Sequence, residues 1–391
     1  MIHDETCSHM MESMITKVRF AGVKHMSEVG LFTRWLTIYR TANPVKDAPI
    51  DSVSRWMLIT RACVFNMTLY SGMIAILLAM QIGEGVVNPL HAALVLIGLV
   101  LAHAGNNMVN DLFDTIHGVD TSDYPRANYA PHPLLHDLIS RKGLIAAIIC
   151  VHTIDLAIAI YFWTVVGDMI WFFVLGGLGI SIFYVAKPFR LKSIGLGELA
   201  ILIVWGPLIV GGAFWALAGN SGADEKQLFD AMVFSLPYAL IVMAVVMGKH
   251  MDKYHDDKGK RVRTLPVLLG LPAAQRFTQG LIIAFFLASM WLAFDGHYAM
   301  LLTLLALPRA VESMKMLGHP VPASPQEAFR IAFDALPEDL IEGRTPDNPP
   351  ENLPIWPLWY VIWAFHFVKR GGAWFTIGLM ADTAIQRGIF S

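Results

Sequence analysis

Apolar stretches of about twenty residues, the length that crosses roughly 30 Å of hydrocarbon, recur near residues 57–80, 91–108, 144–165, 168–186, 197–218, 229–248 and 275–294. Seven such segments in one chain leave little choice of architecture. In lipid every backbone polar group must be satisfied internally, and uninterrupted apolar runs of this length achieve that as helices. An eighth run near 298–312 ends at Pro308 and Arg309, and a ninth lies within 355–385, where Lys369, Arg370, Gly371 and Gly372 interrupt it. The pattern predicts an all-α, polytopic transmembrane bundle of about nine helices. The composition agrees, with 55% of residues hydrophobic and 15% charged, far more apolar than a soluble domain.

A formal charge of −2 gives no basic excess, so nothing in the balance points to nucleic acid as a partner. Cys7, Cys63 and Cys150 are too widely spaced for a metal cluster and do not make an even disulfide set. The opening residues, MIHDETCSHMMESM, carry acids early and lack a basic segment followed by an apolar one, so no cleavable signal peptide is expected. Membrane insertion then falls to the internal helices.

Lys and Arg are divided unevenly between the connections, and that division sets the expected orientation. Three connections are basic: Arg126, Arg141 and Lys142 in 111–143; Lys187, Arg190 and Lys192 in 187–192; and Lys249, Lys253, Lys258, Lys260, Arg261 and Arg263 in 249–264. The alternate connections contribute only Lys226. The basic loops and the N-terminus are therefore expected on the cytoplasmic side of a bacterial-type inner membrane. Residues 1–52 form a lead-in in which LFTRWLTIY, with Trp35 and Tyr39, reads equally as an interfacial helix or as a polar approach. Residues 53–391 make the transmembrane domain, and its polar insert at 307–354, with PASPQEAF and RTPDNPPENLP, is expected to be a cytoplasmic loop with one short helix.

Charged groups are expensive in such a chain, so acid clusters at helix ends call for a reason. NNMVNDLFDTIHGVD, residues 106–120, closes the second span, and DKYHDDKGKRVRT, residues 252–264, follows the sixth. Asn110 and Asp114 are four residues apart, as are Asp252 and Asp256, so a continuing helix puts each pair on one face, about 5–6 Å apart at Cβ. Paired carboxylates repel unless a cation lies between them. Magnesium suits such oxygen donors and keeps phosphate oxygens in its shell, so the pattern suggests a metal-diphosphate site. Lys260, Arg261 and Arg263, with Arg190 and Lys192, supply the balancing bases. A single acidic loop of this kind is usually only solvated; two in separate halves of the chain, each beside bases, shift the balance towards a site. Asp257 reads as a solvated neighbour of Asp256. The histidines His117, His132, His136, His250 and His255 define no zinc ligand set.

These residues resemble the UbiA-type family of intramembrane prenyltransferases, whose first motif has an Asn, an Asp four residues on and a third acid shortly after. NDLFDTIHGVD fits it, and its longer last gap, together with AKPFRLKSIGLGE at 186–198 and GKRVRTLPVLLG at 259–270, resembles most closely the menaquinone branch, which prenylates dihydroxynaphthoate. The resemblance implies a cytoplasm-facing cavity in which Asn110, Asp114, Asp120, Asp252 and Asp256 bind Mg2+ and the diphosphate of an isoprenoid donor. Asp114, Asp120, Asp252 and Asp256 then carry catalysis. Asn107 and Asp111 share the first motif, Arg61 and Arg126 match basic positions near the diphosphate, and Tyr184 and Lys192 match polar positions flanking the fourth-to-fifth turn. Lys260 and Arg261 belong to the second motif. As bland readings, Tyr184 is an interfacial anchor, and Arg61 and Lys192 mark the positive side.

The chain departs from the family at GKHMD, where many members have an Asn and this chain has Gly248 and Lys249, so that a ligand is lost there or Lys249 contacts phosphate directly. YPRANYAPHPLLHD differs from the usual run, and the lead-in and insert add length. The activity implied is prenyl transfer to an aromatic acceptor in quinone biosynthesis. Two alternatives stay open: another acceptor or a cyclisation within the same superfamily, and an ion-coupled transporter, which would carry its key charges mid-span rather than at helix ends on one side.

Overall fold

The computed structural model describes residues 29–81, 86–336, 341–349 and 357–388, and all regular structure among them is helical. Five helices are long and apolar enough to cross a bilayer: Ala62–Gln81, Pro89–Ile116, Arg141–Val166, Gly197–Ser221 and Leu271–Phe294. Glu225–Phe234 and Leu236–Met251, bent by 43°, complete a sixth if counted as one span. Pro237 in the first turn of the second half accounts for the break, because proline lacks an N–H and starts a helix more readily than it continues one. The shorter apolar helix Met169–Val185, the 3-10 segment Tyr298–Ala306 running into Leu307–Leu317, and Tyr360–Gln386 supply the rest of the bundle.

Three boundaries differ from expectation. The first span begins after residue 61, because Ser52–Ile59 is a separate helix capped by Asp51, and Arg61 follows it in the left-handed region at φ 56°. Pro308 and Arg309 do not end the eighth run; they open Leu307–Leu317, where proline suits the first turn. The last helix passes unbroken through Lys369–Gly372. Its two glycines sit where the helix meets its neighbours: a Cβ on Gly372 would lie 2.8 Å from the Tyr238 ring, and one on Gly371 3.2 Å from Ile241. Small residues at such contacts let membrane helices approach closely.

Among its described residues the insert holds at least two α-helices, Leu307–Leu317 and Pro325–Ala332, where one was expected. Ser324 caps the second by accepting from the Glu327 amide, and Phe329 is fully buried. The expected interfacial segment is the helix Leu31–Thr41, which buries Ile38 and turns Leu31 and Phe32 outward. Residues 1–28 of the lead-in, and 337–340 and 350–356 of the insert region, lie outside the described residues.

Leu236–Met251 is the central helix, packed against Tyr360–Gln386, Leu271–Phe294 and Gly197–Ile203. Phe285, Phe286, Phe367 and Phe375 stack in the core between them, with ring centroids 5.1–6.1 Å apart. Arg141–Val166 lies at the rim: only Leu144, Ala159 and Phe162 are buried, while Ile149, Leu156 and Ile160 point outward. Apolar side chains exposed along whole spans are what a lipid-facing surface requires.

Candidate active site

Two helix ends and three loops converge at one end of the bundle. Pro89–Ile116 continues through the first motif, so Asn110 and Asp114 do share a face, and both are buried. After Ile116 the chain doubles back: the amides of Val119 and Asp120 both bond to the Asp114 carbonyl, with Gly118 in the left-handed region, and this returns the buried Asp120 to the same site.

Asp111 lies at the centre of a buried cluster. Its carboxylate accepts from Arg61, through Nη2 and through Nε at 3.2 Å, and lies 3.5 Å from Arg126 Nη2 and 3.5 Å from His132 Nε2. The break at Arg61 aims that guanidinium inward, and Asn107 secures the break by donating to the Thr60 carbonyl at 2.9 Å. Asn107 therefore positions Arg61. His132 Nε2 is also 3.2 Å from Asp120 Oδ2, while its Nδ1 accepts from the Leu134 and Leu135 amides. With Nδ1 occupied as an acceptor, Nε2 carries the proton and donates to Asp120. Asp111, Asp120 and His132 are the group of potential metal donors gathered most tightly among the described residues, within 4.8 Å. The His132 tautomer makes that group a hydrogen-bonded cluster rather than a zinc site.

Loops far apart in sequence seal this end. Lys192, from the turn 191–194, donates to Asp114 at 2.7 Å. Lys260 donates to the Val119 carbonyl at 2.6 Å and to Thr121, and its ammonium stands 4.4 Å from the centre of the Tyr124 ring. The Arg263 amide bonds to the Ser193 carbonyl, so the three basic loops expected on one side do meet there. Arg261 is exposed.

A cavity of about 250 Å³ opens within this frame, lined by Arg61, Asn110, Arg126, Tyr129, Lys249 and Lys253 among others, with Tyr184 in its wall. A larger apolar cleft of about 620 Å³ runs along the spans between Leu94, Ile148, Phe162 and Phe173. His103, Asn106 and Trp205 line both, so the polar cavity adjoins the cleft there. Trp205 sits in a π-helical turn, Val204–Leu208, that contains Pro207; Ser71 donates to the Trp205 carbonyl at 3.1 Å. A wider turn of this kind commonly marks a functional position in a helix. The cleft's polar atoms are few: Ser181 donates to Asn106, and His152 lies 3.9 Å from Asp155. A base-lined pocket adjoining a hydrocarbon-lined trough suits a ligand with an anionic head and an apolar tail.

Residues 72–333, about two thirds of the chain, match the model of the UbiA prenyltransferase family. The chain belongs to that family. It is 28% identical over 220 residues to the UbiA prenyltransferase domain-containing protein 1 homolog of Drosophila melanogaster, covering 56% of this chain and 58% of that protein. It is 27% identical over 199 residues to the 1,4-dihydroxy-2-naphthoate octaprenyltransferase of Escherichia coli (strain K12), covering 50% of this chain and 62% of that protein. The matched stretch thus spans about three fifths of each relative. The apo structure of a UbiA homolog from Aeropyrum pernix K1 shares the fold at a TM-score of 0.54 with 16% identity, over 83% of this chain and 98% of that one.

Within this UbiA-family frame the second motif is arranged differently from the sequence expectation. Leu236–Met251 ends before Asp252, residues 252–253 turn, and a new short helix begins at Tyr254, so Asp252 and Asp256 do not share a face. Asp252 accepts from the amides of Trp359, Tyr360 and Val361 at 2.8–3.0 Å and caps the last helix. Asp256 is exposed, and Asp257, expected to be solvated, is fully buried and accepts from the Tyr124 hydroxyl at 2.6 Å. Burial, then the charge of Asp257, raises the Tyr124 hydroxyl far above the usual tyrosine range, so it remains a donor.

Asp114, Asp120 and Asp257 act on common partners. Burial opposes the Lys192 ammonium, yet Asp114, with Asp257 and Asp120, holds its pKa above the ordinary lysine value. At Lys253 burial prevails and the pKa falls, although the same three carboxylates oppose it. Burial works against ionisation of Asp120 as well, and the His132 hydrogen bond with the fields of Lys253 and Lys192 overrides it, lowering its pKa. Acids of the two motifs therefore act on the same two lysines, with Asp257 as the contributor from the second. The donor chemistry fits magnesium: Asn110 Oδ1 and Asp257 Oδ2 are buried oxygens without a hydrogen-bond partner, in motifs whose other donors are carboxylate oxygens and not sulfur.

Asp252→Ala is expected to cost about 1–2 kcal/mol of stability, the range for a lost N-cap, and to lower activity only in step with the folded fraction. Thermal unfolding in detergent alongside turnover tests this; an unchanged midpoint with abolished turnover would return Asp252 to the chemistry.

Proposed function

We propose that this chain transfers a prenyl group from an isoprenoid diphosphate to an aromatic, dihydroxynaphthoate-like acceptor in quinone biosynthesis, with its site on the cytoplasmic side of a bacterial-type inner membrane. The observation that carries this reading is the adjacency of the base-lined cavity and the apolar cleft, which share His103, Asn106 and Trp205 in their walls. Family membership supports the reaction type, and the name of the E. coli relative supports the acceptor class.

In this reading the prenyl tail lies in the cleft and the diphosphate in the cavity, among Arg61, Arg126 and Lys253. Asn110, Asp114, Asp120 and Asp257 would hold Mg2+, which when bound supplies neutralisation of phosphate charge. Arg61 and Arg126 are held rigid by Asp111, so their remaining donors are oriented before substrate arrives and need not reorganise as charge develops. The bond between prenyl C1 and oxygen breaks with its electron pair on the diphosphate. A ring carbon of the acceptor bonds to C1, and the ring releases a proton or, from a carboxylated position, carbon dioxide. Trp205 and Tyr184 stand where an allylic cation gains from an aromatic face.

Purified chain in lipid nanodiscs, given a labelled prenyl diphosphate and 1,4-dihydroxy-2-naphthoate, is expected to release diphosphate and form a prenylated lipid. Chelation should stop both, and added magnesium should restore them. Product formation that ignores the chelator would refute the metal assignment; no product from any aromatic acceptor would refute the function.

A further inference from the structure

Gly248 and Lys249 stand where many members of the family have an Asn, and the surroundings of Lys249 give it a specific task. The rotation of Leu236–Met251 is fixed on both sides of this residue. A Cβ on Gly248 would lie 2.7 Å from the Tyr360 carbonyl oxygen, so that residue faces the last helix, while His250 Nδ1 is 2.6 Å from Glu198 on the neighbouring span. Lys249 is thereby turned to the cavity, on one face with Val245, Val246 and Lys253.

Apart from the exposed Arg40, the other cations around the cavity are engaged. Arg61 and Arg126 pair with Asp111, Lys192 pairs with Asp114, and Lys253 stands over the Tyr124 ring in the field of Asp257. Among the described residues Lys249 has neither an ion pair nor a hydrogen bond. An ammonium withdrawn from water and left unpaired is unfavourable, so the position suits an anion that arrives with a ligand. It also lies on the helix side of the turn at 252–253, deeper in the span than Lys253. It shares the cavity wall with His103 and Trp205, which also line the cleft, and in the prenyl-transfer reading the acceptor ring lies there.

We infer that Lys249 binds the carboxylate of the acceptor and sets the preference of this chain for acidic aromatic acceptors. The inference rests on the prenyl-transfer reading above. The same ammonium chemistry would serve a terminal phosphate oxygen, so the test separates the two sources. Full-length wild type, Lys249→Gln and Lys249→Arg in nanodiscs are assayed with geranylgeranyl diphosphate and two acceptors, 1,4-dihydroxy-2-naphthoate and 1,4-dihydroxynaphthalene, which lacks the carboxylate.

The ratio of kcat/KM for the carboxylated over the plain acceptor is expected to fall at least about tenfold in Lys249→Gln, the size of one lost charge-assisted hydrogen bond, and to recover in part in Lys249→Arg. A raised KM for the diphosphate with an unchanged ratio would overturn the inference in favour of a phosphate contact. An unchanged ratio with unchanged KM values would overturn it outright. Equilibrium binding of 1-hydroxy-2-naphthoate without donor or metal, read by tryptophan fluorescence, stands apart from turnover. Should wild type prenylate neither acceptor, the underlying reaction is wrong, and this titration still decides the lysine. A tenfold weaker affinity in Lys249→Gln supports it, and equal affinities overturn it.

Discussion

Asp114→Ala and Asp114→Asn are each expected to lower kcat/KM for prenyl transfer by at least about 10²-fold while the protein keeps its helical content, which circular dichroism and turnover on the same preparation would check. Asp114 is the acid of the first motif that lies on the face of Asn110, and its protein partner is the single ammonium of Lys192 at 2.7 Å. The carboxylate has further oxygen lone pairs to offer a cation, and it stands with Asp120 and Asp257 around Lys192 and Lys253. The alanine variant leaves Lys192, 3% exposed, without its partner and so loses some stability, whereas the asparagine keeps a hydrogen-bond acceptor and isolates the loss of charge. Asp256→Ala serves as the internal contrast: that side chain is exposed, and turnover within about twofold of wild type is the expected result for a surface change. Activity within threefold of wild type in both Asp114 variants would remove the carboxylate from the chemistry.

The contrast between Asp114 and Asp256 also shows what was legible in the sequence. Nine apolar runs announced the bundle because hydrocarbon thickness fixes helix length, and the first motif was legible because its helix continues through it, so spacing of four kept its meaning. The same spacing misled at Asp252 and Asp256, since the helix stops at Met251 and the two-residue turn that follows rotates the next segment. That rotation turns Asp257 inward, and frees Asp252 to cap a helix more than a hundred residues away. Lys369 and Arg370 looked like an interruption of the last run. The helix tolerates them because Arg370 reaches the exposed side and Lys369 lies 4.7 Å from the Phe365 ring centre. His132 carried no local signal: its partners, Asp111 and Asp120, are joined to it only through the loop fold.

Asp111→Ala is expected to destabilise the protein by about 3–5 kcal/mol, the cost of removing one member of a buried charged cluster. This carboxylate is fully buried and is the common partner of Arg61, Arg126 and, at 3.5 Å, His132. Without it two guanidinium groups lose their shared ion-pair partner, and the left-handed residue at the start of the first span loses the contact that favours it. Asp111→Asn keeps the shape and removes the charge, so it should fall between wild type and alanine. Removing the opposing charge as well, in Arg61→Met with Asp111→Leu, should regain part of the loss, because well-packed apolar groups can replace a buried ion pair at little cost once neither charge is stranded. Unfolding by denaturant in mixed micelles, followed by circular dichroism, measures all of these. If Asp111→Ala unfolds within 1 kcal/mol of wild type, the cluster is not what orders the arginines, and their orientation must come from the helix break itself.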